Sequence, residues 1–345
     1  MQQQAMHRIP TIMDVDTGID DSLALLYGCA SPEAELVGVT CVSGNVEAGQ
    51  VAVNTLAVLE LAGRDDVEVA MGRRLPLVRS LQTAPETHGP RGLGYAELPD
   101  PARRLSARHA ADLIVDEARR RPGQLTLVTL GPLTNVALAV LLEPQLPRLL
   151  GRLVMMGGSY RSAGNTAPTT EWNVAVDPEA MQIVLQAFGS TDLPRRPTAL
   201  GLDVTERAKL LPMHLEHLAR RIGCRPDGSA LPGGRDDRLM RYVSEALRFY
   251  MEFHGRYDGF YGAFIHDALA LAAAFDPRLI EVQAATVEVE LAGRLTTGET
   301  VTDWRGTWRR PPNLDVAVAV DSETFMTRFL DRLGGLAVSR SAVAS

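Results

Sequence analysis

The chain has 345 residues, of which 46% are hydrophobic, so it holds enough apolar side chain to bury a large core. Its net charge of −7 comes from acids and bases that are interspersed, which excludes the basic stripe required by a nucleic acid or an anionic membrane surface. No stretch reaches the ~18 uninterrupted apolar residues of a membrane span. The three cysteines, Cys29, Cys41 and Cys224, include no CxxC pair and fit a reducing compartment without a disulfide framework. The opening MQQQAMHRIP lacks an apolar h-region and a small-residue cleavage site, so a cytoplasmic protein is expected. Lys209 is the sole lysine, and mechanisms that need a lysine elsewhere are excluded.

In chain order, the first 200 residues alternate strand-like and helix-like runs. PTIMDVD reads as a buried strand and DDSLALLYGCA as a helix that opens on acids. ELVGVTCVS is a second strand, and VAVNTLAVLELAG a helix closed by Gly63 in the C′ position. VEVAMG is a short third strand. A polar stretch over 75–101 precedes the helix ADLIVDEARRR, the strand QLTLVTL and a helix PLTNVALAVLL with Pro132 at its start. RLVMMGG and DPEAMQIVLQAF continue the alternation. Residues 190–236, rich in Pro, Gly and Arg, read as a surface insertion or flap. Helical pattern resumes at DRLMRYVSEALRFYMEFHG and HDALALAAAF, and ATVEVELAG is strand-like.

Continuous apolar strands, each followed by a helix, predict an α/β fold: one large domain over 1–345, with a mainly parallel, Rossmann-like sheet covered by helices. Ligands of such sheets lie at the carboxyl ends of the strands. The informative residues cluster there, at Asp14 and Asp16, Ser43 to Asn45, Leu130 to Asn135 and Gly157 to Asn165.

The densest cluster is MDVDTGIDDSLALL, with Asp14, Asp16, Asp20 and Asp21 inside eight positions. An acidic helix start accounts for Asp20 or Asp21, since Asp caps helices and suits the dipole. It leaves Asp14 and Asp16 as uncompensated charge at the edge of a buried sheet. A hard divalent cation, Ca2+ or Mg2+, resolves the repulsion. An EF-hand loop fails the spacing, because Gly18 occupies the fifth position of the run. A haloacid-dehalogenase-like Mg2+ phosphatase also begins with Asp-x-Asp, but Thr17 and Gly18 stand in the reverse order; it remains the second reading.

DVDTGIDD resembles the Asp-x-Asp-x-Gly-x-Asp-Asp signature of the inosine–uridine-preferring nucleoside hydrolase family. In that family's order follow GNV at 44–46, HGPRGLG at 88–94, LGPLTN at 130–135, MGG at 156–158, EWN at 171–173 and IHDALA at 265–270. The resemblance spans about residues 9–320 and implies a ribonucleoside N-ribohydrolase with one bound Ca2+. Carried over by motif, the metal ligands are Asp16, Asp20, Asp21, Asp267 and the main-chain carbonyl of Leu130. Asp16 matches the general base and Asp14 a supporting position beside it. Asn45, Asn165, Glu171 and Asn173 match ribose partners, while Asn135 reads as structural.

His266 matches the group that assists departure of the base, and His88 another pocket position. His7, His109, His214 and His217 read as ordinary surface or satisfied residues. Tyr257 and Tyr261, in FHGRYDGFYGAF, are candidate contacts of the base. Trp172 stands where the family more usually has Phe. The chemistry fits these residue types: cleavage of an N-glycosidic bond builds oxocarbenium character on ribose, and the attacking water needs a base near neutral pH. The resemblance further implies a small-molecule nucleoside substrate and a homodimer or homotetramer. A nucleoside-binding protein without turnover is the remaining alternative; the full set of acids and Asn173 speaks against it.

Overall fold

The computed structural model describes residues 8–189 and 193–343. His7 lies outside them. In chain order, β1 (Ile9–Val15), α1 (Ile19–Ala30), β2 (Ala34–Cys41), α2 (Ala48–Ala62) and β3 (Val69–Met71) come first. They are followed by α3 (Pro85–His88), α4 (Ala110–Arg120), β4 (Thr126–Thr129), α5 (Thr134–Leu142), α6 (Leu146–Leu149) and β5 (Arg152–Met156). Next are α7 (Trp172–Val176), α8 (Pro178–Phe188), β6 (Thr198–Leu200), α9 (Leu202–Thr205), β7 (Lys209–Leu210) and α10 (Pro212–Ile222). The chain ends with α11 (Arg238–Tyr257), β8 (Ala263–Phe264), α12 (His266–Phe275), β9 (Ile280–Val289), β10 (Thr300–Asp303), β11 (Leu314–Val320) and α13 (Ser322–Val343).

The central sheet runs in the order β10-β9-β11-β6-β5-β4-β1-β2-β3. From β11 to β3 all neighbours pair in parallel, and β9 and β10 add an antiparallel edge. Alternation along β1 explains why both faces are covered. Met13 and Val15 join the apolar layer of α1, α12 and α13, whereas Ile12 joins that of α4, α5 and α8. Chain order reverses at β1, which lies between β2 and β4, so a crevice opens at the carboxyl ends of β1 and β4. Asp14 pairs with Thr40 on one side and Thr129 on the other, which puts the aspartate loop at that crevice.

Gly63 takes the left-handed conformation that closes α2, as its position predicts. The helix expected from Pro132 begins two residues later, at Thr134. The described part of the 190–236 stretch, 193–236, does not form a surface insertion or flap as a whole. Residues 198–200 are β6, paired inside the central sheet, and Pro212–Ile222 is α10, packed on α13. A three-residue strand beside DLPRRP carries too little periodicity to read. No described helix is long and apolar enough to cross a membrane.

Candidate active site

The turn from β1 into α1 is closed by Asp21. Its Oδ1 accepts from the Asp16 main-chain N–H at 3.1 Å, and its Oδ2 from the Gly18 N–H at 3.0 Å. Asn45, on the loop after β2, donates through Nδ2 to the same Oδ2 at 3.1 Å. The Asn45 main-chain N–H donates to Asp16 Oδ2 at 2.8 Å. Two glycines make room for the Asp16 carboxylate. A Cβ on Gly131 would come within 2.7 Å of its Oδ1, and one on Gly44 would collide with its Oδ2. Asp267, in the first turn of α12, joins from the far end of the chain. Carboxylate oxygens of Asp20, Asp21 and Asp267 all lie within 4.8 Å of one another.

All four acids are buried, and burial is the largest cause of their raised pKa values. Mutual repulsion adds to it for Asp16, Asp20 and Asp267, and Asp20 is pushed up to about 8. Asp16 Oδ1 and Asp20 Oδ1 are buried with no hydrogen-bond partner. Buried oxygen-only ligands at this spacing, with Asp20 Oδ1 and the neighbouring Asp16 Oδ1 left unpartnered, fit a hard divalent cation. Asp20, Asp21 and Asp267 are the residues that could hold such an ion, with Asp16 adjoining them. The Leu130 carbonyl also takes the Asn173 Nδ2–H at 2.7 Å.

Asp14 is fully buried and bonded within the sheet. Its Oδ1 accepts from Thr40 Oγ1 at 2.6 Å and Asn135 Nδ2 at 2.8 Å, and burial pushes its pKa to about 7. It stands behind the acidic cluster because regular β1 geometry keeps it inside the sheet. Asn135 is structural as read, bridging Asp14, the Cys41 carbonyl and the Arg73 N–H.

Above the acids opens a cavity of about 340 Å³, within the range of small-molecule sites. Asp20, Asn45, His88, Leu130, Asn165, Glu171, Asn173, Tyr257, His266 and Asp267 line it, so motifs spread over 247 positions converge on one wall set. Asp16 and Asp21 lie fully buried, one hydrogen bond behind Asn45. Glu171 caps α7, its carboxylate accepting from the main-chain N–H groups of Gly158, Asn173 and Val174. Asn165 Oδ1 accepts from the Trp172 N–H at 2.9 Å, which holds Trp172 in the cavity wall.

Tyr261 is a correction. It is 51% exposed and borders a shallow surface recess, not the cavity. Gly259, at φ 73°, turns the chain away after α11, so the spacing from Tyr257 is not helical. Tyr257 reaches the cavity rim, itself 61% exposed.

His88 Nδ1 accepts from the Ile19 N–H at 3.1 Å, and His266 Nδ1 meets Thr205 Oγ1 at 2.8 Å. Burial lowers both imidazoles to about 3, so both are neutral rings. His109 caps α4 and His214 bonds the Leu211 N–H, the ordinary roles expected of them. Sequence reading passed over His254, which lines the cavity together with Tyr250, Phe264 and Glu206. The available signal was the four-residue spacing of Tyr250, His254 and Asp258, one face of a helix.

A family model described as inosine-uridine preferring nucleoside hydrolase matches residues 11–327. The chain is 37% identical over 331 residues to the pyrimidine-specific ribonucleoside hydrolase RihA of Enterobacter sp., covering 96% of this chain and 99% of that one. It is 36% identical over 326 residues to the inosine-uridine preferring nucleoside hydrolase of Leishmania major, covering 93% and 96%. The purine-preferring ribonucleoside hydrolase from Gardnerella vaginalis superposes with a TM-score of 0.86 at 30% identity, covering 96% and 99%. Fold, site and matches together define a hydrolase acting on ribonucleoside N-glycosyl bonds. The chain belongs to the inosine–uridine-preferring nucleoside hydrolase family, which sets the phosphatase reading aside. The relatives' names differ in base preference.

Proposed function

We propose that the protein hydrolyses ribonucleosides to ribose and free base in a Ca2+-dependent reaction, with Asp16 as general base and His266 assisting the departing base. The supporting observation is the convergence of Asp20, Asp21 and Asp267 within 4.8 Å beside the unpartnered Oδ1 of Asp16. Asp20, Asp21, Asp267 and the Leu130 carbonyl would hold the cation, with Asp16 shared between ligand and base. When bound, a cation there supplies Lewis acidity that acidifies water and orients vicinal hydroxyls.

The residues divide the remaining work. Asp16, fixed at Oδ2 by Asn45 and confined by Gly44 and Gly131, takes the proton of the attacking water through its free Oδ1. The water oxygen bonds to the anomeric carbon, and the glycosidic electron pair leaves with the base nitrogen. Asn45, Asn165, Glu171 and Asn173 supply the polar partners that desolvated ribose hydroxyls need. For this role the Thr205 hydroxyl would donate to His266 Nδ1, 2.8 Å away, in place of the 3.2 Å hydrogen bond it gives the Gly201 carbonyl. The neutral ring then keeps its proton on Nε2, the tautomer that donates to a departing base.

The test is release of free ribose from inosine, adenosine, guanosine, uridine and cytidine, with and without a chelator and with Ca2+ or Mg2+ restored. Chelator-sensitive release that Ca2+ restores supports the reading. Release that survives exhaustive chelation would sink the metal role.

A further inference from the structure

We propose that Asp203 is a positioning residue for the reaction: its carboxylate holds the root of the 157–171 loop and thereby sets Asn165 against the 5′-hydroxyl of the substrate. This rests on the hydrolysis reading above. The loop leaves the carboxyl end of β5 and returns into α7, and β6 pairs beside β5 with Leu200 opposite Met156. Helix α9, which follows β6, therefore starts next to the root of the loop. Asp203 Oδ2 accepts from the Tyr160 N–H at 2.9 Å, and Oδ1 from the Arg161 and Ser162 N–H groups at 2.7 and 3.1 Å. Three successive main-chain donors thus converge on one carboxylate, a strong and directional anchor. Both oxygens accept, so an amide of the same shape must turn its NH2 toward at least one of these donors and lose it.

Past this anchor the chain runs exposed to the cavity rim, where Asn165 and Thr166 line the wall. Asn165 spends its Oδ1 on the Trp172 N–H at 2.9 Å, so its Nδ2–H2 is the part available to a ligand. In the proposed reaction the cation orients the vicinal hydroxyls, which leaves the 5′-hydroxyl for the outer wall. Where Asn165 stands is decided at the root. There Ser159 Oγ donates to the Ser162 carbonyl at 2.5 Å, and Thr300 Oγ1, on β10, donates to the Ser159 carbonyl at 2.7 Å. Asp203 supplies the hold from the side of the cavity that carries the leaving-group histidine. Two residues on, the same turn of α9 presents Thr205 to His266 at 2.8 Å. One helical turn thus fixes the distance between the loop that grips the ribose and the group that assists the base. An ångström of drift in such a loop is enough to cost a reaction that depends on placement.

The test compares kcat/KM of the full-length protein, Asp203→Asn, Asn165→Ala and the double variant on the best ribonucleoside substrate and on its 5′-deoxy counterpart. Asp203→Asn is expected to cost about 10-fold or more on the ribonucleoside and less than about threefold on the 5′-deoxy substrate. Placed in the Asn165→Ala background, it should cost less than about threefold on either, because the side chain it positions is already gone. Equal losses on both substrates would reduce Asp203 to a fold residue, and losses that multiply in the double variant would mean that it does not act through Asn165. Either result overturns the proposal and spares the hydrolysis reading, as does an unchanged kcat/KM. If Asp203→Asn does not fold, Ser159→Ala loosens the same root from inside and must show the same preference for the 5′-deoxy substrate; the absence of that preference overturns the proposal. Silence of the wild-type protein on every ribonucleoside would overturn the hydrolysis reading and the proposal with it.

Discussion

Asn135 Nδ2 donates to Asp14 Oδ1 across 2.8 Å, joining the first turn of α5 to β1 directly beneath the acidic loop. The same amide satisfies the Cys41 carbonyl and the Arg73 N–H, so one side chain ties β1, β2 and the loop after β3 to α5. Asn135→Leu should leave these buried groups unpaired and cost about 3 kcal/mol of unfolding free energy in urea titration. A loss below about 0.5 kcal/mol would show that the contacts are dispensable.

Asp16 is confined on both sides by main chain. Gly44→Ala should therefore displace its carboxylate and lower kcat at least about tenfold, with a smaller change in KM. Asp16→Asn, which keeps the shape, should lower kcat by about 100-fold or more. Steady-state kinetics on one good substrate decides both. Wild-type kcat in Asp16→Asn would end its assignment as base.

Thr205 touches the reaction only through His266. Thr205→Val should slow a ribonucleoside with a poor leaving base about tenfold, and p-nitrophenyl riboside, whose leaving group needs no help, less than about threefold. Equal slowing of both would mean that Thr205 supports the fold of α9 rather than the tautomer of His266.

The acidic cluster links stability to pH and metal. Its carboxyls have folded pKa values raised above the ordinary carboxylate value, with Asp20 at about 8. A raised folded pKa gives stability that is fully present below the unfolded value, near 4, and lost as pH rises through the folded one. The metal-free protein should thus weaken from pH 5 to pH 8, by about 1.4 kcal/mol per pH unit for each proton the fold retains. Excess Ca2+ should raise Tm more at pH 8 than at pH 5.5, because it displaces those protons. Equal shifts at both pH values in differential scanning would contradict binding at these carboxylates.

By itself the sequence determined the alternating α/β architecture, the placement of its informative residues at strand ends and the acidic cluster that demands a counter-charge. These are local properties: apolar period, caps, and charges too close together to be left alone. The ordered motifs then carried the family, although Asp20 and Asp267 are 247 positions apart in the chain. Tertiary structure alone decided which side chains share the cavity. It withdrew Tyr261, because Gly259 turns the chain away after α11, and set Asp14 behind the site. It also brought His254 into the cavity wall, with Asp258 to one side and the rings of Tyr250, Phe253, Phe260 and Phe264 around it. Residues 198–200 became a central strand because β5 and β11 flank them, and three residues hold too little pattern to announce it. Chemistry was legible where residue type and local spacing suffice; recognition of the base was not, since it is assembled from contacts between segments.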